Sequence, residues 1–268
     1  MGRRPPTAGF TPREKLALIV PCHNEAAALP HLKSAIERLR VALDVEFELE
    51  LLLIDDGSTD GTALLMKTLF GERDDATIVC HEKRRGIAGA IATGLTHATA
   101  EVVASLDADC TYDPLILAPM VRLLTEDVDL VVASPYHPDG GVDGVPAWRL
   151  QVSRCASRLY RVLMRNKLHT YTSCVRVYRR ESVINLPLGN PGFVGIVELL
   201  WKLDCRGGKI IEHPAILKSR NVGQSKMRIT RATLAHVGLM SRAALMRLVG
   251  RRPLSGGERR PQCTSALI

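Results

Sequence analysis

Aromatic residues make up only 4% of the 268-residue sequence. No basic stripe is interleaved with aromatics and no zinc-finger spacing occurs, so the usual stacking and finger modes of nucleic-acid recognition are excluded. Nowhere do about 18 apolar residues run uninterrupted, which excludes a membrane-spanning helix. The opening stretch MGRRPPTAGFTPREK has arginines but no apolar centre, unlike a secretory signal. Seven cysteines lie scattered without a Cys-x-x-Cys pair, so we expect reduced thiols in a cytosolic protein rather than metal ligands. Internal repeats and long low-complexity segments are also missing.

What is present suits one large α/β domain, since 46% of the residues are hydrophobic. The net charge of +8 is concentrated at one end. Residues 214–268 carry eleven Lys/Arg against one acid, Glu258. Such a segment fits a solvated tail, phosphates or an anionic membrane surface better than nucleic acid.

Strand-like runs alternate with helical patterns through the first half. The pattern predicts strands over 15–20, 47–54, 77–80, 102–106 and 129–133, and helices over 25–40, 59–70, 87–97 and 115–125. That rhythm implies a doubly wound, mostly parallel sheet that binds ligands at the carboxyl ends of its strands. Further on, 135–146 reads as a Gly/Pro-rich loop, 146–166 as an Arg-rich helix, and 170–179 as a strand. A helix is expected over 193–205, a strand over 209–212 and an amphipathic helix over 229–250, with disordered ends at 1–14 and 251–268.

Three polar clusters follow predicted strands: Pro21-Cys22-His23-Asn24-Glu25, Asp55-Asp56-Gly57-Ser58, and Asp107-Ala108-Asp109. Two carboxylates two residues apart beyond a buried strand need positive charge nearby. A divalent cation carrying a phosphorylated ligand supplies it, because hard oxygen ligands suit Mg²⁺ or Mn²⁺. On these residues alone a solvated turn, capped by Asp113-Pro114, remains an alternative.

The segments PCHNE, IDDGSTDGT, RRGIAGAIATG, LDADCTYDP, the GGV…WR…SR stretch, TSCVRVYRRE and Gln224-Ser225-Lys226 together resemble the family 2 glycosyltransferases. Within them, the dolichol-phosphate mannosyltransferase and polyprenyl-phosphate glycosyltransferase group is most similar, over residues 16–232. The resemblance implies a GT-A type, Rossmann-like α/β fold, with a catalytic domain over 15–228 and an amphipathic helix after it. It implies an inverting, metal-dependent transfer of a sugar from a nucleotide diphosphate donor (GDP-mannose or a UDP-sugar) to a polyprenyl phosphate.

By the same resemblance, Pro21, Asn24, Glu25, Asp55 and Asp56 line the nucleoside pocket, while Arg84 and Gly86 approach the nucleotide diphosphate. Asp107 and Asp109, flanking Ala108, hold Mg²⁺ or Mn²⁺. Arg149 and Ser153, one helical turn apart, hold the acceptor phosphate. Arg220 and Lys226 belong to a loop that closes over the donor phosphates. Glu198 matches a helix glutamate near the site, which acts as base in relatives that glycosylate hydroxyls. The alternatives are therefore a hydroxyl acceptor with Glu198 as base, or a non-catalytic nucleotide-sugar-binding subunit. Three departures fall on the metal and acceptor side. Thr111 stands where the group often has Gln, Pro135 stands where it has Arg, and 169–175 reads HTYTSCV. The expected location is cytoplasmic and peripheral at the membrane surface, held by the last helix and basic tail or through a membrane-anchoring partner protein.

Overall fold

The computed structural model describes residues 13–219 and 229–248. The first half runs β1 (Glu14–Cys22), α1 (Leu29–Leu43), β2 (Phe47–Asp55), α2 (Thr62–Phe70), β3 (Ala76–Cys80), α3 (Ile87–His97) and β4 (Val102–Ser105). A short 3₁₀ turn then leads into α4 (Leu117–Arg122) and β5 (Leu130–Ser134). The remainder comprises β6 (Gly141–Asp143), α5 (Ala147–Leu163), β7 (Arg176–Arg179), α6 (Arg180–Ile184), α7 (Phe193–Cys205), β8 (Ile210–Pro214), β9 (Ile216–Lys218) and α8 (Ile229–Leu248).

Seven strands form one sheet in the order β3-β2-β1-β4-β7-β5-β8. All pairings are parallel except those of β7, which runs antiparallel to β4 and β5. Successive side chains alternate faces, so the apolar run of β1 feeds two cores. Ala17 and Ile19 join the layer of α3 and α7, whereas Leu16, Leu18 and Val20 join the layer of α1. A strand covered on both faces must be apolar throughout, which is why Leu16–Val20 shows no polar alternation.

Several expected boundaries move. Helix α1 begins at Leu29, not Glu25, with Pro30 in its first turn, where a missing N–H does no harm. The 170–179 strand contracts to Arg176–Arg179, and the residues before it form part of the site. The expected 135–146 loop contains β6, which pairs with β9. Three-residue strands with partners so distant in sequence leave no local pattern to read. Helix α8 packs on α5 and α7, with Leu239 and Ala243 buried in the shared core.

Candidate active site

The carboxyl ends of β1, β2 and β4 share one edge of the sheet. Cys22 lies opposite Asp55, Asp55 opposite Cys80, and Ile19 opposite Ser105. The first two polar clusters therefore meet. Asn24 takes the left-handed conformation (φ 55°), which asparagine tolerates better than most residues. Its N–H donates to Ser58 Oγ at 2.8 Å, and its Oδ1 accepts the N–H of Thr59 at 2.7 Å. The Glu25 N–H donates to Thr62 Oγ1 at 2.8 Å. Pro21 lies opposite Ile54, one pair before the end of the β1–β2 ladder.

Asp55 and Asp56 are both 3% exposed, yet they do different work. Asp56 is enclosed: Oδ1 meets His81 Nδ1 at 2.9 Å and accepts the Arg85 N–H at 2.7 Å, while Oδ2 accepts the Gly86 N–H at 2.7 Å. It therefore fixes the loop that carries Arg84, whose own side chain is exposed. Gly57 (φ 65°) permits that loop's approach, because a Cβ there would lie 2.8 Å from the Arg84 nitrogen. Gly86 (φ 90°) packs against the carbonyl of Pro191, 2.7 Å from where a Cβ would stand. Among the described residues, Asp55 accepts only the Ser58 N–H, at 3.3 Å on Oδ2. Its Oδ1 is buried without a hydrogen-bond partner among the described residues. A buried acceptor left unmade is costly, and a ligand N–H or hydroxyl would satisfy it.

Beyond β4, the Leu106 N–H still donates to Ile19 at 3.0 Å, so the strand direction carries into the Asp-x-Asp segment. Asp107 and Asp109 line a cleft of about 330 Å³, with Thr111 beside them. Ala108 turns the opposite way into the core. Cys110 is left-handed (φ 51°), and the Thr111 N–H caps Asp109 Oδ1 at 3.1 Å. Asp113 also caps the following turn through the Leu115 N–H at 3.1 Å, so capping and cleft-lining coexist in one segment. The donor set fits Mg²⁺ or Mn²⁺, offering hard carboxylate and hydroxyl oxygens at the cleft wall. Soft thiolates suit Mg²⁺ and Mn²⁺ poorly, so the nearby thiols are not rivals. Burial and the adjacent carboxylates push Cys110 up to about 12 and Cys174 well above the usual thiol range. No group of three or more His, Cys, Asp or Glu suited to a metal occurs among the described residues. An ion here would complete its shell with ligand and water oxygens.

The cleft is also lined from α5 and from the segment before β7. Ser153 Oγ shares a hydrogen bond with Thr172 Oγ1 at 2.9 Å, and both line the cleft. Ser134 Oγ similarly pairs with Thr170 Oγ1 at 2.8 Å. Trp148, Leu150, Val152 and Phe193 give this end an apolar surface. Arg149 sits in the first turn of α5, and its side chain lies outside the described atoms. Arg220 and Lys226 also lie outside the described residues.

Glu198 is not among the cleft-lining residues. Its side chain is buried on α7, accepting the N–H groups of Gly189 (3.0 Å) and Asn190 (2.9 Å) and pairing with Lys202 Nζ at 2.6 Å. Its carboxylate is thus committed to the loop ahead of α7, a local arrangement at odds with the expected role as a base.

Sequence reasoning did not single out Lys218 or His236, which line the cleft from β9 and α8. Lys218 reaches it because its N–H donates to the Thr111 carbonyl at 2.8 Å, tying β9 to the Asp-x-Asp loop. His236 is held by a 2.9 Å hydrogen bond to Tyr160 of α5. Neither has a local sequence signal, since both arrive through tertiary pairing.

Residues 17–186 match the model of glycosyl transferase family 2. The chain belongs to this family. It is 29% identical over 227 residues to a polyprenol monophosphomannose synthase of Mycolicibacterium smegmatis, covering 82% of this chain and 83% of that protein. It is 27% identical over 219 residues to an undecaprenyl-phosphate mannosyltransferase of Micrococcus luteus, covering 80% and 87%. Among solved structures, a mannosyltransferase from Pyrobaculum calidifontis in complex with GDP-Man and Mn²⁺ superposes with a TM-score of 0.60 at 24% identity. That match covers 87% of this chain and 65% of the other. The glucosyl-3-phosphoglycerate synthase of Mycobacterium tuberculosis gives 0.58 at 23% identity, covering 96% and 88%. These two likenesses establish the shared GT-A fold.

Proposed function

We propose that this glycosyltransferase moves mannose from GDP-mannose to a polyprenyl phosphate, with inversion and with Mn²⁺ or Mg²⁺. The observation that carries this reading is one cleft lined both by Asp107 and Asp109 and by Ser153, Thr172 and an apolar surface. The curated relatives, named for lipid-phosphate mannosyl transfer, agree with such a cleft.

The residues then take the following roles. Asp55 Oδ1 accepts from the nucleoside, satisfying its buried lone pairs. Asp56 keeps the Arg84–Gly86 loop in place for the nucleotide. Asp107 and Asp109 would hold the metal ion, which neutralises charge on the departing diphosphate. Ser153 and Thr172 donate to the acceptor phosphate, and Lys218 brings a positive charge to the same cleft. An acceptor phosphate is already anionic near neutral pH, so attack on the anomeric carbon requires orientation rather than a strong base. This agrees with a Glu198 engaged elsewhere, which we assign as a positioning residue for the 189–190 loop.

Peripheral attachment to a membrane belongs to the same proposal. Helices α5 and α8 pack together and leave Trp148, Val152, Val162, Leu234, Val237 and Leu245 exposed. Among the described residues no helix is long and apolar enough to cross a membrane. An amphipathic pair lying on the lipid surface would place the apolar end of the cleft at the acceptor's chain.

The deciding experiment measures nucleoside diphosphate release from GDP- and UDP-sugars, with Mn²⁺, with and without polyprenyl phosphate. Lipid-dependent release from GDP-mannose that falls at least a hundredfold in Asp109→Ala is expected. Equal release without lipid phosphate would overturn the acceptor assignment.

A further inference from the structure

On the far side of the Pro135-Tyr136 wall lies a second hollow, of about 360 Å³. Arg154, Arg158 and Arg161 line it from α5, spaced four and three residues apart and therefore on one helical face. His137 and His169 close the other side, their rings edge-on with centroids 5.7 Å apart. Arg154 stacks over the Tyr136 ring at 5.1 Å, which fixes one guanidinium at the rim.

No carboxylate lines this hollow. The acids paired with its two histidines are already engaged. Glu212 accepts the N–H groups of His169 and Thr170 and meets His169 Nδ1 at 2.9 Å. Asp139 lies 3.5 Å from His137, with its side chain 80% exposed. None of the three arginines forms an ion pair with an acid among the described residues. Three guanidinium groups around one concavity repel unless an anion lies between them.

A second observation is independent of charge. Ser157 also lines the hollow, is only 3% exposed, and its Oγ has no hydrogen-bond partner among the described residues. A buried hydroxyl left unpaired is unfavourable, and it is well suited to donate to an anionic oxygen.

We propose that this hollow is an anion site for a phosphate group, separate from the transfer cleft and sharing with it only the Pro135-Tyr136 wall. The guanidiniums suit phosphate oxygens by their planar, forked donors, and Ser157 completes the set from below. The phosphate belongs either to an anionic lipid headgroup or to a free phosphate in solution. The proposal holds whatever acceptor the transfer cleft takes.

The test titrates the full chain, with EDTA present, by calorimetry against inorganic phosphate. The wild type and Asp109→Asn should bind saturably with equal affinity. R158Q/R161Q should bind at least tenfold more weakly, and S157A severalfold more weakly. The substituted arginines are exposed, so thermal melting should show both variants folded. Flotation with phosphatidylglycerol-containing vesicles separates the two sources. Vesicle binding that R158Q/R161Q loses and phosphate displaces identifies a headgroup. Vesicle binding unchanged in a variant that has lost phosphate identifies a free anion. Wild-type affinity for phosphate in R158Q/R161Q, or saturable binding of neither probe by the wild type, overturns the proposal.

Discussion

The guanidinium of Arg176 donates through Nη2 to the carbonyl of Tyr171 at 2.9 Å, from a side chain with no solvent exposure at all. Its Nε reaches the Ser173 carbonyl at 2.8 Å and its Nη1 the Ile196 carbonyl at 2.7 Å. One buried cation thus fixes the irregular segment that carries Thr172 and Ser173 to the cleft, and anchors it to α7. Burial pulls the pKa of Arg176 below its ordinary value, and the three carbonyls offset the desolvation. Replacement by Met removes the charge but leaves three buried carbonyls short of a donor. We expect Arg176→Met to lower unfolding stability by about 2 kcal/mol, read from the denaturant midpoint. An unchanged midpoint would show that the segment holds its shape without this side chain.

Asp56 should matter to donor binding more than to turnover. The change Asp56→Asn keeps the size but replaces one acceptor oxygen with a donor, in a bracket of two backbone N–H groups and His81. The Arg84–Gly86 loop then loosens. KM for the nucleotide sugar is expected to rise about tenfold, equivalent to about 1.4 kcal/mol, with kcat changed much less. A fall in kcat at constant KM would contradict this assignment.

Glu198→Gln distinguishes a base from a positioning residue. The amide loses the pairing with Lys202 and one backbone acceptor, so stability should fall by about 1–2 kcal/mol. Turnover of the folded variant should stay within a few-fold of wild type. Loss of a general base would instead lower it by about 10²–10⁴, and that result would restore the hydroxyl-acceptor mechanism.

Stability should also fall on mild acidification. Burial holds the imidazole of His236 below its ordinary pKa, and the same is true of His213. The unfolded chain therefore binds the proton first. The stability contributed by neutral His236 is complete above its unfolded pKa of about 6.5 and is lost as pH falls from there towards the folded value. Melting temperatures measured between pH 7.5 and 5.5 should decline, and less steeply in His236→Gln, with a residual slope from His213. An identical slope in the variant would remove His236 as the cause.

The alternation of apolar strands and amphipathic helices revealed the sheet, because the inner stretches Leu16–Val20, Leu51–Ile54 and Val103–Ala104 are buried and carry no polar side chain. The clusters at 21–25, 55–58 and 107–109 were legible for a related reason, since parallel strands bring their carboxyl ends to one edge. Other features could not be seen locally. Nothing in Ile216–Lys218 announces a strand, because its partner β6 lies about 75 residues earlier. The differing roles of Asp55 and Asp56 depend on a loop some 30 residues away. The Glu198–Lys202 pair follows from helical spacing, whereas the bonds of Glu198 to Gly189 and Asn190 leave no local pattern.

The reversed direction of β7 has an evolutionary corollary. A parallel strand in that slot would deliver its incoming connection to the opposite rim, far from the cleft. Running backwards, β7 instead leads in from the working rim, and the HTYTSCV stretch before it becomes wall. On the proposed roles, the residues for the nucleoside and the metal come mainly from before residue 110, and those for the acceptor mainly from after 134. On that proposal, acceptor preference is exchangeable by rewriting the second half of the gene, with the nucleotide-recognising half inherited intact.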